Sequence, residues 1–456
     1  MLAPYLGKSR TGGLHRRTDD EFVGTAIPVE GDNLDTPLYT GRHLITLDGD
    51  RSDYLQAINS LKNSMQMRVA VSSDFQETPF KEEEIRDADI FLYEDIGVAL
   101  VSTIPGEQQK LAGVLDRRSG IVEPELVMYA IPFQETIEVT ASSGNIGVPH
   151  LTWGINATGC HRSPYNGARV KVAILDTGLD LEHPDFIGRV KGQQSFVPGI
   201  TDVWDLHGHG THCAGIACAH CDPALTRYGV ARLSDLYVGK ILDHSGRGAQ
   251  SWAINGINWA VSQQCKVISM SIGSIVLPGI SYMVAYERAI SNAVEHGALV
   301  VAAAGNDSQR TGGNDSQRFG GNNSLQPTSN DSQQPGRIFP VSSPANCPSA
   351  VAVTAVDSSM RMATFANSSI NPGQNVFIAG PGVDIYSSWP MSIRYRSISG
   401  TSMATPFVSG IAALLWEKYP SFNPLQIKDE LRTLARRLPD MPPSDIGWGF
   451  VQAPDN

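Results

Sequence analysis

Three short segments carry the side chains from which nucleophilic catalysis is built. An aspartate stands in VAILDTGLDLEHPDF, histidines in DLHGHGTHCAGIA and a serine in SGTSMATPFVSGIAALL. A serine hydroxyl is a poor nucleophile at neutral pH and needs a base beside it, and a histidine used as that base needs a carboxylate to orient its ring. Asp176 follows the apolar run 172–175, which puts it at a strand's carboxyl end, with Gly178 able to make the tight turn beyond. Ser402 precedes Pro406 and the helically spaced Val408, Ile411, Leu414 and Leu415. It therefore stands at a helix N-terminus, where backbone N–H groups and the helix dipole could hold an oxyanion. Singly, each segment has a plainer reading: Asp-Thr-Gly is a common turn, a serine at a helix start is a common cap, and clustered histidines invite a metal. His207, His209 and His212 do not reproduce the His-Glu-x-x-His spacing of zinc peptidases, so a metal is disfavoured.

The elements that must position these residues read as an α/β domain over 151–456, with apolar strands at 170–175, 267–270, 299–303 and 351–356 separated by helical stretches. Before it, 41–131 reads as a smaller α+β unit of split β-α-β, ferredoxin-like type. Its pattern is a strand at 43–47, a helix with Leu55, Ile58 and Leu61 on one face, and a strand at 67–71. A second such unit follows, with a strand at 97–104, a helix from Pro105 carrying Leu111, Val114 and Leu115, and a strand at 121–128. Residues 1–40 lack apolar periodicity and read as a leader, while 132–150, with Ser142-Ser143-Gly144-Asn145, reads as an exposed connector open to proteolysis. Between 306 and 337, Asn-Asp-Ser-Gln recurs three times amid glycines, which predicts a polar loop insertion.

Taken together and in this order, Asp-Thr-Gly, His-Gly-Thr-His and Gly-Thr-Ser-Met-Ala resemble the subtilisin family of serine peptidases, and the resemblance runs over about 150–456, to GWGFVQA. It implies Ser402 as nucleophile, His209 as general base and Asp176 as the carboxylate that orients it. VVAAAGND resembles the family's Ala-Gly-Asn, which implies Asn306 as the oxyanion donor; Asn314 and Asn330 are rivals but lie in the polar insertion, whereas Asn306 follows an apolar strand. Matching stretches imply that a polypeptide substrate adds as a strand between His244–Gly248, with Gly246 and Gly248 lining it, and Ser271–Ser274. Ser271, Ile272, Gly273, Ala303, Ala304 and Gly305 are expected to wall an uncharged pocket for an apolar residue before the scissile bond. The small unit resembles the inhibitory propeptide of many subtilases, with VEPELVMYA as the end that lies in the cleft, and implies self-cleavage between Tyr129 and His150. Family position also implies a structural calcium ion with Asp185 and Asp222 as oxygen ligands, the alternative for Asp222 being a solvated turn residue, since its loop differs from the family's pattern. No cofactor is needed for the chemistry itself. Cys213 resembles a cysteine some relatives carry near the base and reads as a packed core thiol. Cys218 and Cys221, a lone Cys-x-x-Cys, read as buried apolar side chains rather than a zinc pair.

The totals narrow the partners. With 46 acidic against 35 basic side chains and a formal charge of -11, the surface repels phosphate backbones, so nucleic acid is not expected. Its apolar runs are too short for a membrane span, and a monomer is expected. The first residues, MLAPYLGKSRTGGLHRRTDDE, contain arginines but no apolar run, so no secretory signal is recognisable; cytoplasm and export by a non-standard route both stay open. Six cysteines suit either redox setting. Two other readings compete: a non-catalytic peptide-binding member, which would lack a triad residue, and a maturation peptidase devoted to one precursor.

Overall fold

A computed structural model describes residues 36–75, 88–102, 111, 113, 120–135, 151–220, 222, 226–310 and 336–455. Residues 1–35 of the expected leader, nearly all of the helix expected from Pro105, the 136–150 stretch of the connector, Cys221 and the 311–335 part of the insertion lie outside the described residues.

The N-terminal unit is a sheet of β1 (Tyr39–Leu47), β2 (Val69–Val71), β3 (Ile90–Tyr93), β4 (Val98–Val101) and β5 (Gly120–Ala130), in the order β5-β1-β4-β3-β2. Helix α1 (Arg51–Met65) starts at a capping box in which Asp50 accepts the Ser52 and Asp53 N–H groups and Asp53 accepts that of Asp50. Strand alternation sorts the side chains onto two faces. Ile45, Leu47, Ile90, Leu92 and Val101 meet Tyr54, Ile58 and Leu61 of α1, whereas Leu44, Phe91, Val98 and Leu100 face the core shared with the larger unit. Sequence reading lacks β3, because IFLY is buried on both faces and so shows no alternation. With β3 inserted, β2 moves to the edge; β1 and β2 still run parallel on either side of α1, and β4 and β5 run parallel with β1 between them, so the expected split arrangement stays and the β3–β4 hairpin is added to it. A two-residue strand, β6 (Gln134–Glu135), follows β5.

The larger unit contains β7 (Lys171–Asp176), β8 (Val190–Ser195), α2 (His209–Cys218), β9 (Asp235–Lys240), β10 (Arg247–Ala249), α3 (Gln250–Ser262), β11 (Val267–Met270), β12 (Ile272–Gly273), α4 (Val284–Glu295), β13 (Leu299–Ala303), β14 (Val351–Val356), β15 (Ile378–Pro381), β16 (Ile385–Ser388), β17 (Tyr395–Ser399) and α5 (Thr401–Lys418). Its main sheet runs β15-β14-β13-β11-β7-β9-β8, parallel at every pairing. The expected strands correspond to β7, β11, β13 and β14. Sequence reading missed β8, whose VKGQQS is only half covered, together with β9 and β15. Helices α2 and α5 pack on one face through Ile216, Met403, Phe407 and Ile411; α3 and α4 pack on the other through Trp252, Ile257, Tyr286 and Ile290. Chain order reverses about β7, so the carboxyl ends of β7 and β11 border the crevice where an open α/β sheet places its site. No helix among the described residues is long and apolar enough to cross a membrane.

The two units share a core and a seam. Glu123 of β5 accepts the Val284 and Ala285 N–H groups that open α4, at 2.9 and 3.0 Å. Glu125 accepts the Ser251 N–H at the start of α3, at 2.9 Å, and pairs with Arg42 at 2.7 Å. Neither helix has a side-chain cap of its own, so these carboxylates satisfy orphan N–H groups and meet the positive ends of both dipoles.

Candidate active site

Asp176, the last residue of β7, is buried; its Oδ1 accepts the His209 Nδ1–H at 2.7 Å and the Thr177 N–H at 2.7 Å. His209 opens α2. Burial disfavours its imidazolium, but Asp176 alongside outweighs that cost and holds the ring's pKa well above 6.5. His209 Nε2 is buried and, among the described residues, has no hydrogen-bond partner. Ser402, in the first turn of α5, is fully buried, and its hydroxyl donates to the Ser271 carbonyl at 3.2 Å rather than to His209.

Local sequence explains the position of Ser402. Pro406 has no N–H, so the Ser402 carbonyl lacks its helical donor. Ser271 Oγ at 2.8 Å and Cys213 Sγ at 3.5 Å donate to it instead, which ties the first turn of α5 to the end of β11 and to α2. Asn306 lies just past β13. Its Oδ1 accepts the Thr401 N–H at 2.9 Å and the Thr401 hydroxyl at 2.8 Å, and this aims Nδ2 outward, where it donates to the Pro132 carbonyl at 2.8 Å. Only glycine fits before it: Gly305 has φ +110°, and a Cβ there would lie 2.2 Å from Ser342 Oγ.

The cleft is filled by the chain itself. Strand β5 runs antiparallel between β10 and β12, with Met128 opposite Gly248 and Tyr129 opposite Gly273, and the Ala130 N–H bonds to the Gly246 carbonyl at 2.8 Å. Ile131 follows, buried, 3.2 Å from where a Cβ on Gly273 would project; Ser342 Cβ stands at 3.3 Å from the same point. Ser342, whose N–H bonds to the Ala304 carbonyl at 2.9 Å, joins the expected wall residues. Sequence reading missed it because it lies beyond the insertion. Phe133 then stacks on the His209 ring, 6.0 Å between centroids and 24° between planes, and meets Trp389 edge-on at 5.8 Å.

Of the other two histidines in the His209 segment, His207 stands edge-on to the His209 ring, 6.2 Å between centroids, whereas His212 points away. His212 Nε2 lies 3.0 Å from the Ile385 carbonyl and 3.1 Å from that of Arg396, and burial pushes the ring's pKa down to about 3, so it is a neutral donor to the β16–β17 hairpin. Among the described residues the ligand atoms that gather as a metal set would are those of Asp176, His209 and Cys213, and the first two are taken by their mutual bond. Cys160, Cys213, Cys218, Cys265 and Cys347 are free and buried. Burial raises the Cys213 thiol and pushes Cys218 up to about 11, so both are protonated, packed side chains here. Asp185 and Asp222 do not fit a hard cation either: their carboxylates are taken by the hydroxyls of Tyr228, Tyr395 and Tyr386.

A subtilase family model, Peptidase_S8, matches residues 167–449. Subtilisin E of Bacillus subtilis (strain 168) is 37% identical over 292 residues, 64% of this chain and 67% of that protein. Subtilisin of Bacillus pumilus is also 37% identical over 292 residues and is covered to 92% of its length. M-protease of Shouchella clausii (strain KSM-K16) is 34% identical over 323 residues, 70% of this chain and 72% of that protein.

Proposed function

Since the chain belongs to the subtilase family and is a serine-type endopeptidase, we propose that it is made as a proenzyme, with its N-terminal unit lying in the cleft as an intramolecular inhibitor and with an apolar residue preferred before the cleaved bond. The observation that carries this reading is the antiparallel seating of Val127–Ala130 between the two cleft strands, with Ile131 against Gly273.

In this reading a polypeptide substrate takes the same place. Ser402 attacks the carbonyl carbon while His209 Nε2 removes the hydroxyl proton, and Asp176 holds the imidazole and stabilises its cation. Negative charge on the tetrahedral oxygen meets Asn306 Nδ2 and the Ser402 N–H. The leaving amine takes its proton from His209, and water then resolves the acyl-enzyme by the same route.

The inhibitor is seated as a poor substrate. Asn306 holds the carbonyl of Pro132, one residue beyond the Ile131 that fills the pocket, and Phe133 covers His209. Maturation then requires this segment to leave, after a cut between Tyr129 and His150. Labelling of purified protein with a fluorophosphonate, read by mass spectrometry of the adduct, tests the reading together with intact mass and N-terminal sequence. Expected are a label on Ser402, its loss in Ser402→Ala, and a new N-terminus between 130 and 150 in the active species. Full activity from a chain of uncut mass would overturn the proenzyme reading.

A further inference from the structure

Five side chains from three separate parts of the chain form a cluster with no part in that chemistry. Asp185 lies in the Pro184–Phe186 turn, Asp222 and Tyr228 beyond α2, Tyr386 in β16 and Tyr395 in β17. The rings of Tyr386 and Tyr395 stack 5.4 Å apart at 18°, and Tyr228 stands edge-on to both, at 5.8 and 6.1 Å. Their hydroxyls converge on the two carboxylates. Tyr228 donates to Asp185 Oδ2; Tyr395 reaches Asp185 Oδ2 at 3.1 Å and Oδ1 at 3.3 Å; and Tyr386 reaches Asp222 Oδ2 at 2.8 Å. The Thr226 N–H takes Asp222 Oδ1 at 2.7 Å.

Two aspartates that are 9% and 5% exposed need compensation. A hard divalent cation supplies it by collecting six to eight oxygen lone pairs. Here each of the four carboxylate oxygens already accepts a hydrogen bond, and the phenols aim protons, not lone pairs, into the space a cation would need.

We propose that this tyrosine–carboxylate cluster replaces a structural divalent cation: it ties the 183–186 turn, the stretch from Asp222 to Tyr228 and the β16–β17 hairpin together without an ion. The consequence reaches the site, because β17 ends at Ser399, just before α5 presents Ser402.

Thermal unfolding of the full chain, carrying Ser402→Ala to prevent self-digestion, tests this after dialysis against EDTA and again with millimolar calcium. The Tm is expected to stay within about 1 °C between the two, while Tyr228→Phe and Tyr395→Phe each lower it by roughly 2–4 °C, a loss calcium does not restore. Terbium luminescence excited through tyrosine is the direct probe, since three rings at one ion would sensitise it strongly. A calcium-dependent rise in Tm, or terbium emission, that disappears in both Asp185→Asn and Asp222→Asn would overturn the proposal. So would Tyr→Phe variants as stable as the parent. Ion binding that persists in both aspartate variants lies elsewhere and leaves this cluster ion-free, as proposed.

Discussion

Thr177 Oγ1 donates to Asp205 Oδ1 at 2.9 Å, and this bond joins the strand end that presents Asp176 to the turn that launches His209. Asp205 is buried and accepts four further donors: the His207 and Gly208 N–H groups at 3.0 and 2.8 Å, and the Thr211 N–H and hydroxyl at 2.8 and 2.7 Å. Thr177 Oγ1 in turn accepts the Gly210 N–H at 2.8 Å, while its backbone N–H holds Asp176. Gly208, the residue before α2, has no side chain to cap that helix, so Asp205 and Thr177 do so. Burial raises the carboxyl of Asp205, but hydrogen bonds from Gly208, Thr211 and Thr177 outweigh it and hold the group ionised.

Asp205 is therefore expected to position the triad. A hydrogen bond to a charged group contributes about 1.5–3 kcal/mol, so Asp205→Asn should lower kcat by roughly 10- to 100-fold with little change in KM. Thr177→Ser, which keeps the hydroxyl, should stay near the parent, and Thr177→Val should follow Asp205→Asn. Steady-state kinetics on a short peptide, normalised to sites titrated with fluorophosphonate, separates this from partial unfolding: a merely structural role would reduce the titrated sites and leave kcat per site unchanged.

Asn306→Ala tests the oxyanion assignment. For a donor of this type, for which a subtilisin is the standard example, loss costs about 10²–10³ in kcat. The same change in KM should be small, because Nδ2 is expected to bind charge that develops only after attack. Equal labelling of Ser402 and an unchanged kcat would move the role to another donor.

Activity and this part of the stability should move in opposite directions with pH. His209 has its pKa raised by Asp176, so the stabilisation from the charged pair is complete below the ordinary value of 6.5 and is lost as pH rises through the higher folded value. A general base must be neutral, so kcat/KM should rise with pH across that same window, with its midpoint above 6.5. The groups facing the ring are Asp176, Cys213 and His207. Asp176→Asn should lower kcat on the order of 10⁴-fold and shift the limb to lower pH; a pH–rate profile of the two proteins decides it.

The triad segments were legible in the sequence because each is local: a carboxylate after four apolar residues, a histidine among glycines, and a serine ahead of a helical stripe. The parallel sheet was legible where a strand is an unbroken apolar run, as in β13, and not at β8, where half of each side chain meets water, nor at β9 and β15, which are buried but whose apolar runs are cut short by Gly239-Lys240 and Gly380-Pro381. Asp205 stood inside the histidine segment unmarked, because its role comes from Thr177, 28 residues away. Ile131, Pro132 and Phe133 carry no motif at all; Pro132 meets Asn306 across 174 residues of chain. Nor does any local pattern show that Tyr228, Tyr386 and Tyr395 converge on the two aspartates expected as calcium ligands.

Docking of the N-terminal unit should depend on Glu125 more than on any exposed contact. Its carboxylate is fully buried and holds Arg42, Thr40 and the Ser251 N–H at once. Glu125→Ala leaves Arg42 and the start of α3 without that partner, and breaking a buried pair this way costs about 3–5 kcal/mol. Burial raises Glu125, but Arg42 and the hydrogen bonds outweigh it and lower the pKa overall. Its contribution is therefore present above the ordinary 4.5 and is lost as pH falls through the depressed value. Glu123 works the other way, because burial leaves its pKa raised. In the full chain, Glu125→Ala should expose the cleft, and the rate at which a fluorophosphonate labels Ser402 should rise by at least an order of magnitude. An unchanged rate, with the protein still folded by circular dichroism, would mean that the sheet-to-helix seam does not hold the N-terminal unit in place and that the strand pairing of Val127–Tyr129 with Arg247–Ala249 suffices.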